Sequence, residues 1–212
     1  MSIFRTLADA LADARLKRAQ WEPAYDAMVA GLRHSGAGRT APAVGETMPA
    51  FALPDADGRW TRLDALLAPA PLVLSFQRGG WCPYCRAEMA AWRRALPSLA
   101  KAGGRLAVVT PETGGRAAQL RDGLGPEVII LCDVDHGVAM MLGLTVPLPG
   151  EIRERYRESG LDLDRLTGGA GRFVPIPATF VLDRQGRVRF AHADPDFRVR
   201  AEPASAIEAL LV

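Results

Sequence analysis

The stretch that most constrains the fold is an apolar run that ends in a glycine pair and leads directly to two closely spaced cysteines. Residues 72–76 read Leu-Val-Leu-Ser-Phe, which is typical of a short strand buried on both faces of a sheet. The sequence Arg-Gly-Gly at 78–80 breaks this run. Apolar residues then recur at helical spacing from Cys85 to Leu99. The stretch therefore predicts a strand, a turn and a helix that carries both cysteines in its first turn.

The predicted position of the cysteines favours a reactive thiolate. Pro83 fits the first helical position, where a missing N–H costs nothing, and this puts Cys82 at or near the N-cap. The unpaired N–H groups and the dipole of a helix N-terminus stabilise negative charge. In Cys-X-X-Cys sites the pKa of the first cysteine commonly falls from about 8.5 to between about 3.5 and 7.5. We expect Cys82 to be largely thiolate at neutral pH, with Cys85 beside it about one turn further along.

Composition narrows the class of protein. The chain has 212 residues, of which 49% are hydrophobic, enough for one sizeable core with extensions. Its net charge is +2 and its basic residues are interleaved with acidic ones, so we expect neither a nucleic-acid partner nor a membrane partner. The charged residues among the first 18 exclude the apolar core of a signal peptide, and no apolar run is long enough to span a bilayer. We expect a cytoplasmic protein.

The cysteine count favours redox chemistry. Three cysteines are too few for a disulfide framework of the secreted kind, and a close pair beside alternating strands and helices is typical of a redox site. Zinc binding is the alternative, but neither a second close cysteine pair nor a His-X-X-X-His sequence follows. We expect no metal and no cofactor. Cys132 ends a predicted strand, which indicates a structural thiol, with a resolving or sensing role as the alternative.

The chain divides into a helical extension, a linker and a sheet domain. Residues 1–35 contain two amphipathic helices, which we expect to dock on the core of the same chain; a dimer contact is the alternative. Residues 36–44 are a connector rich in glycine and proline. In residues 45–212 buried apolar runs alternate with helical segments, which predicts an α/β sheet. Residues from about 146 to 172 are predicted to form an insertion with one exposed helix.

Four segments, in this order, resemble the thioredoxin superfamily and, within it, the peroxiredoxin-like proteins of the AhpC/TSA group. The segments are Gly-Glu-Thr-Met-Pro-Ala-Phe-Ala-Leu-Pro-Asp at 45–55, Trp-Cys-Pro-Tyr-Cys at 81–85, Ile-Pro-Ala-Thr-Phe at 176–180, and a tail with Asp-Pro-Asp-Phe at 194–197 and Arg-Ala-Glu-Pro at 200–203. The resemblance covers about residues 45–212. It implies a thioredoxin-like, peroxiredoxin-type three-layer α/β sandwich with a central mixed sheet.

The resemblance also implies the site residues and the partners. Cys82 and Cys85 would be the catalytic pair, and Trp81, Pro83 and Tyr84 would shape the substrate-binding rim. Pro177 would be a cis-proline that faces the disulfide, and the backbone of Ile176 would bind an extended substrate. The implied partners are a thioredoxin- or glutathione-type reductant and a substrate that is either a disulfide protein or a peroxide, in a protein that could be a homodimer.

The sequence departs from the peroxiredoxin pattern at the residues that activate peroxide. If Cys85 is aligned with the peroxidatic cysteine, the Thr or Ser expected three positions earlier is Cys82. The arginine expected just before a later strand falls at or near Pro177. Arg78 or Arg86 could replace that arginine, although nothing in the sequence singles either of them out.

These departures favour one of three hypotheses about the mechanism. Thioredoxins carry a buried carboxylate beneath the disulfide, where it relays protons. The corresponding position in this sequence is near Ser75, so the proton relay is also missing from its expected place. Thiol–disulfide exchange needs only the two sulfurs, with Cys82 attacking and Cys85 resolving, and is therefore favoured. Thioredoxin-dependent reduction of hydrogen peroxide or an alkyl hydroperoxide is the alternative. A non-enzymatic redox sensor or partner-binding protein is the third hypothesis.

Overall fold

The structure is a computed structural model and describes residues 6–169 and 171–211. Its helices are α1 (Leu7–Leu16), α2 (Glu22–His34), α3 (Leu63–Leu67), α4 (Pro83–Lys101), α5 (Arg116–Leu124), α6 (Gly137–Met141), α7 (Gly150–Glu158), α8 (Leu163–Thr167) and α9 (Pro203–Glu208). Its strands are β1 (Ala52–Pro54), β2 (Trp60–Arg62), β3 (Leu72–Phe76), β4 (Arg105–Thr110), β5 (Ile129–Cys132), β6 (Thr145–Pro147), β7 (Phe173–Pro175), β8 (Ala178–Leu182) and β9 (Val188–Ala193). The first five residues of the predicted helical extension lie outside the described residues.

The central sheet has five strands in the order β5-β4-β3-β8-β9. β3 pairs in parallel with β4, and β4 with β5, whereas β8 runs antiparallel to both β3 and β9. All five residues of β3 are buried, as the apolar run predicts. The predicted α/β fold with a mixed central sheet is therefore confirmed.

The sheet separates two hydrophobic cores, because successive side chains of a strand point to opposite faces. Leu74 and Phe76 of β3 belong to the core that includes α3, whereas Val73 belongs to the core formed with α4, α5 and α9. Trp92 of α4 is fully buried against this second face. The result is a layer of helices on each side of the sheet. Among the described residues no helix is long and apolar enough to cross a membrane.

The helical extension packs on the chain's own core, as expected. α1 lies along α4, and α2 buries a stripe of side chains that includes Tyr25 and Leu32. Thr6 begins α1 with a capping box, in which its hydroxyl accepts from Asp9 N–H and the Asp9 carboxylate accepts from Thr6 N–H. The extension therefore lies beside the helix that carries the cysteines.

The insertion differs from its prediction, which expected one exposed helix. β6 and β7 pair at its base, and two helices, α7 and α8, lie between them. α7 is not fully exposed, because its apolar residues Ile152 and Tyr156 are four positions apart, share one face and are buried in the core. The Tyr156 ring packs 5.2 Å from the Trp21 ring and 5.5 Å from the Trp81 ring, measured between centroids. The insertion and the N-terminal extension thus meet above the start of α4.

The prediction of a cis peptide bond before Pro177 is wrong, since no peptide bond between the described residues is cis. Pro175 is still paired with Thr145 in the β6–β7 ribbon, and Ala178 is already paired with Phe76 in the central sheet. Only two residues connect the two strands, and Ile176 N–H donates to the Leu144 carbonyl. The connection is therefore direct, and its trans geometry is held by strand pairing on both sides.

Candidate active site

Both cysteines lie at the start of α4, where the sequence predicts them. Cys82 is the N-cap residue, with φ −81° and ψ 120°, and Pro83 is the first residue of the helix. Cys82 and Cys85 are free thiols and are only 1% and 2% exposed. Cys82 borders a cavity of about 320 Å³, whereas Cys85 lies behind it and does not line that cavity. A small molecule that enters the cavity therefore meets Cys82 first.

The two thiols have opposite protonation states at neutral pH. Burial by itself would raise the pKa of Cys82. The hydrogen bond from Cys85 and the charges of Arg78 and Arg200 have a larger, opposite effect and lower this pKa to about 5. Burial, together with the hydrogen bond to and the charge of Cys82, raises the pKa of Cys85 well above its ordinary value. Cys82 is therefore the thiolate and Cys85 the neutral thiol that donates to it, in agreement with the expectation for Cys82.

Arg78 is a buried cation that faces the cavity. Its guanidinium lies 4.1 Å from the Phe197 ring centroid and 5.0 Å from that of Trp81, so both ring faces contact it. None of its three side-chain nitrogen atoms has a hydrogen-bond partner among the described residues. Arg78 is only 1% exposed, the nearby Cys82 thiolate is one of the groups that favour its charged form, and its side-chain donors have no partner among the described residues.

The glycine pair after Arg78 has a steric and a conformational role. Gly79 has a φ of +125°, and a Cβ there would lie 2.8 Å from both Glu112 Cδ and Trp81 Nε1. Gly80 N–H donates to the Glu112 carboxylate at 2.7 Å. Exposed Arg86 donates to the carbonyls of Gly80 and Trp81 and so holds the same loop from outside. Of the two arginines considered from the sequence, Arg78 is the one that faces the cavity, and Arg86 supports the loop.

A second buried arginine, Arg200, contacts the resolving thiol. Its Nη2 lies 3.4 Å from Cys85 Sγ, and its Nη1 forms an ion pair with Glu88. The Glu88 carboxylate also accepts from the hydroxyls of Ser75 at 3.3 Å and Thr179 at 3.4 Å. A buried carboxylate thus lies beside Ser75 after all, but it comes from α4 instead of from the strand position where thioredoxins carry it.

The tail after β9, residues 194–201, delivers both Arg200 and Phe197 to the site. Arg198 anchors this tail, since its Nε donates to Asp196 at 2.8 Å and its Nη1 to Glu22 of α2 at 2.7 Å. The same segment provides part of the sequence resemblance to the peroxiredoxin-like proteins. Two of its side chains form part of the site, since Arg200 contacts Cys85 and Phe197 lines the cavity that Cys82 borders.

Two tyrosine hydroxyls form the roof of the cavity. Tyr25 of α2 and Tyr156 of α7 line it, and their oxygens are 3.0 Å apart. Burial, with the neighbouring Tyr156, raises the pKa of Tyr25, so its hydroxyl stays protonated at neutral pH. Because one hydrogen bond between two hydroxyls uses only one of their two hydrogens, the other hydrogen is available to a ligand.

The structure separates the predicted site residues into two groups. Trp81, Pro83 and Tyr84 line the cavity together with Cys82. Ile176 and Pro177 do not line it, and the Ile176 N–H expected to bind substrate is already paired with Leu144. A substrate-binding role for Ile176 and Pro177 stays a prediction without a contact to support it.

The third cysteine lies away from this pair, whereas the zinc alternative concerns the pair itself. Cys132 ends β5 at the edge of the central sheet, and burial raises the pKa of its thiol, as for a structural cysteine. The part of the chain that the structure describes contains no group of three or more His, Cys, Asp or Glu side chains suited to a metal ion.

Comparison with known proteins assigns the family. The model of the AhpC/TSA family matches residues 44–191. The chain belongs to the AhpC/TSA family. The protein is therefore an oxidoreductase of the thiol peroxidase or thiol–disulfide class, with a peroxiredoxin-like form of the thioredoxin fold. A search of curated proteins gives no match.

Solved structures of peroxidoxins and peroxiredoxins share the fold at low sequence identity. The Mycobacterium tuberculosis peroxidoxin BcpB is 22% identical, with a TM-score of 0.60 over 79% of this chain and 95% of that one. Reduced Prx3 of Vibrio vulnificus in complex with H2O2 is 17% identical, with a TM-score of 0.62 over 80% and 96%. A yeast mitochondrial 1-Cys peroxiredoxin, resolved through glutathione and thioredoxin systems, is 14% identical, with a TM-score of 0.57 over 78% and 73%.

Proposed function

We propose that this AhpC/TSA protein is a thiol peroxidase in which Cys82 reduces a small hydroperoxide and Cys85 resolves the product. The observation that carries this proposal is the free guanidinium of Arg78, which faces the same cavity as the Cys82 thiolate. The sequence favours thiol–disulfide exchange because the peroxide-activating residues are missing from their expected places. Arg78 and the tyrosine pair supply equivalent donors from other positions.

Access to the sulfur also favours a small substrate. Cys82 is 1% exposed and lies under side chains from α2, α7 and the tail, so the sulfur of a folded protein disulfide cannot approach it without opening this cover. The cavity of about 320 Å³ is at the lower end of the usual range for small-molecule sites, about 300–1,000 Å³. A small hydroperoxide fits within a cavity of this volume.

The first step uses the thiolate as nucleophile. Cys82 Sγ attacks one oxygen of the O–O bond, that bond breaks, and Cys82 becomes a sulfenic acid while the second oxygen leaves as an alkoxide or hydroxide and takes up a proton. The Arg78 donors stabilise the negative charge that develops on the oxygens, and the free tyrosine hydrogen can donate to the leaving oxygen. Both donors are in place before the reaction, which is the condition for efficient stabilisation.

The second step closes the disulfide. Cys85 Sγ attacks the Cys82 sulfenic acid, the S–OH bond breaks, water leaves, and the Cys82–Cys85 bond forms. Arg200, 3.4 Å from Cys85 Sγ, stabilises the thiolate character that this attack requires. An external dithiol or two external thiols then reduce the disulfide by exchange. A thioredoxin- or glutathione-type reductant, a homodimeric state and a cytoplasmic location are part of this proposal.

Two assays run side by side distinguish the proposal from thiol–disulfide exchange with proteins. Peroxide consumption and reduction of a model protein disulfide are measured for the wild type, Cys82→Ser and Cys85→Ser. We expect saturable peroxide turnover that is lost in Cys82→Ser, and little protein-disulfide reduction in any form. Fast protein-disulfide reduction combined with peroxide turnover no better than that of a free thiol would support the exchange hypothesis instead.

A further inference from the structure

A second groove adjoins the active-site cavity. It runs between α1 and α4, has a volume of about 400 Å³, and shares Arg18 and Pro83 with the cavity that Cys82 borders. Its other lining residues on α4 include Arg86 and Arg94. The groove therefore lies directly beside the cavity that Cys82 borders.

Positive charge dominates the groove. Four cationic side chains line it, Lys17, Arg18, Arg86 and Arg94, against one carboxylate, Asp13. Asp13 is already paired with Lys17 at 2.7 Å. The three arginines form no ion pair with any residue that the structure describes. The groove thus presents three uncompensated guanidinium groups to an anionic ligand.

The dimensions of the groove fit a short peptide. Alanines from both helices, such as Ala14 and Ala90, line it and leave room between the charged side chains. On α4, Arg86 lies about one turn and Arg94 about three turns beyond Pro83, so these two arginines are about 12 Å apart along the helix axis at 1.5 Å per residue. An extended tripeptide spans at most about 10 Å. A peptide of that length can place carboxylates among the arginines while its sulfur enters the cavity.

We infer that this basic groove binds the reductant of the enzyme, and that this reductant is a low-molecular-weight thiol peptide with free carboxylates. The inference rests on the proposed function, because it concerns the reduction of the disulfide which that function produces. A small thiol is favoured over a protein dithiol for the same reason as a small peroxide. Cys82 is covered, and a short peptide in the groove lies beside the cavity that Cys82 borders.

The chemistry balances with two molecules of the thiol. The thiolate of the first attacks Cys82 Sγ, a mixed disulfide forms, the Cys82–Cys85 bond breaks, and Cys85 leaves as a thiolate that takes up a proton because its pKa is high. The thiolate of the second molecule attacks the peptide sulfur of the mixed disulfide and releases the peptide disulfide together with the Cys82 thiolate. Two thiols are oxidised, and the protein disulfide is reduced.

The test compares a charged and an uncharged reductant on a disulfide that is formed without peroxide. The protein is oxidised with diamide, and the rates of reduction by glutathione, which has two carboxylates, and by dithiothreitol, which has none, are measured by stopped flow. The variants are Arg94→Glu in the groove and Arg93→Glu on the same helix. Arg93 is exposed and does not line the groove, so it is a matched control for net charge.

We expect Arg94→Glu to slow reduction by glutathione about 5- to 30-fold, as expected from reversing one charge near a carboxylate in water, and to leave reduction by dithiothreitol within about twofold. The difference between the variants should shrink as salt is added. Equal losses in Arg94→Glu and Arg93→Glu, or no loss with glutathione, would overturn the inference. Thioredoxin is measured as a third reductant, and a loss confined to it would also overturn the inference, because it would indicate an acidic protein partner. The peroxidase proposal fails separately, if the diamide-oxidised protein is reduced normally but the reduced protein does not react with peroxide.

Discussion

Replacing Arg78 by methionine should change both the ionisation of Cys82 and its reactivity. The substitution removes a cation that is 1% exposed and contributes to lowering the pKa of Cys82 to about 5. An opposite charge at close range lowers the pKa of a group by about 1 to 3 units, so the pKa of Cys82 in Arg78→Met should lie between about 6 and 8. At pH 7 the thiolate fraction would fall from nearly complete to between about 90% and 10%.

The loss of peroxide turnover should exceed the loss of thiolate. The smaller thiolate fraction alone lowers the rate at pH 7 by about tenfold at most. If the Arg78 donors also stabilise the breaking O–O bond, their removal adds a further factor of about 10² to 10³ that does not depend on pH. Raising the pH to 9 restores the thiolate, so the loss that remains there isolates the contribution of Arg78 to the transition state.

The measurement combines two pH profiles. The pKa of Cys82 is obtained from its alkylation rate between pH 4 and 10, with mass spectrometry to assign the modified cysteine, and peroxide kinetics are recorded over the same range. Arg86→Met is the control, since it removes an exposed arginine near the same loop and should shift the pKa much less. An Arg78→Met protein whose Cys82 pKa stays near 5 and whose peroxide rate at pH 9 is normal would refute the role given to Arg78.

Three further predictions follow from the surroundings of the two sulfurs. Tyr156→Phe removes a hydroxyl whose oxygen is 3.0 Å from that of Tyr25. It should lower kcat/KM for peroxide about 2- to 12-fold, which corresponds to the loss of one hydrogen bond, and leave the pKa of Cys82 unchanged. A loss explained wholly by a shift in the pKa of Cys82 would contradict this prediction. Glu88→Ala leaves Arg200 buried without its ion-pair partner and should cost about 3–5 kcal/mol in a denaturant titration, whereas the double variant Glu88→Leu/Arg200→Met should recover much of this loss. In the reduced, folded protein the pKa of Cys82 is lowered to about 5. The stability of the wild type relative to Cys82→Ser should therefore decrease by up to about 1.4 kcal/mol per pH unit as the pH falls from about 8.5, the ordinary pKa of a cysteine, towards 5. A stability difference that does not depend on pH would argue against a buried thiolate.

The part of the site that local sequence pattern determines was predictable. The buried strand β3, the break at the glycine pair and the start of α4 at Pro83 each depend on neighbouring residues, and the structure has all three. These three features need no knowledge of how distant segments pack. The low pKa of Cys82 was expected from its place at a helix N-terminus, but in the structure it also depends on the charge of Arg200, which the distant tail contributes.

The remainder of the site depends on tertiary contacts that no local pattern encodes. Arg200 comes from the tail, 115 residues after Cys85, and Tyr25 and Tyr156 are 131 residues apart in the chain. Glu88 had a detectable signal, because it lies three positions after Cys85 and therefore on the same face of α4. The error at Pro177 has a similar origin, since the pairing of β7 with the insertion, which sets that connection, is not visible in the sequence.

The assignment of Cys82 as the peroxide-reducing cysteine is tested most directly by a single turnover of Cys85→Ser. The reduced variant is mixed with one equivalent of hydrogen peroxide in a stopped-flow instrument, and a dione reagent that traps sulfenic acids is added before mass spectrometry. We predict a reaction about 100-fold faster than that of a free thiol of the same pKa, with the trapped sulfenic acid on Cys82. A rate equal to that of the free thiol, or a sulfenic acid found on Cys132 with Cys82 unmodified, would contradict the proposed mechanism.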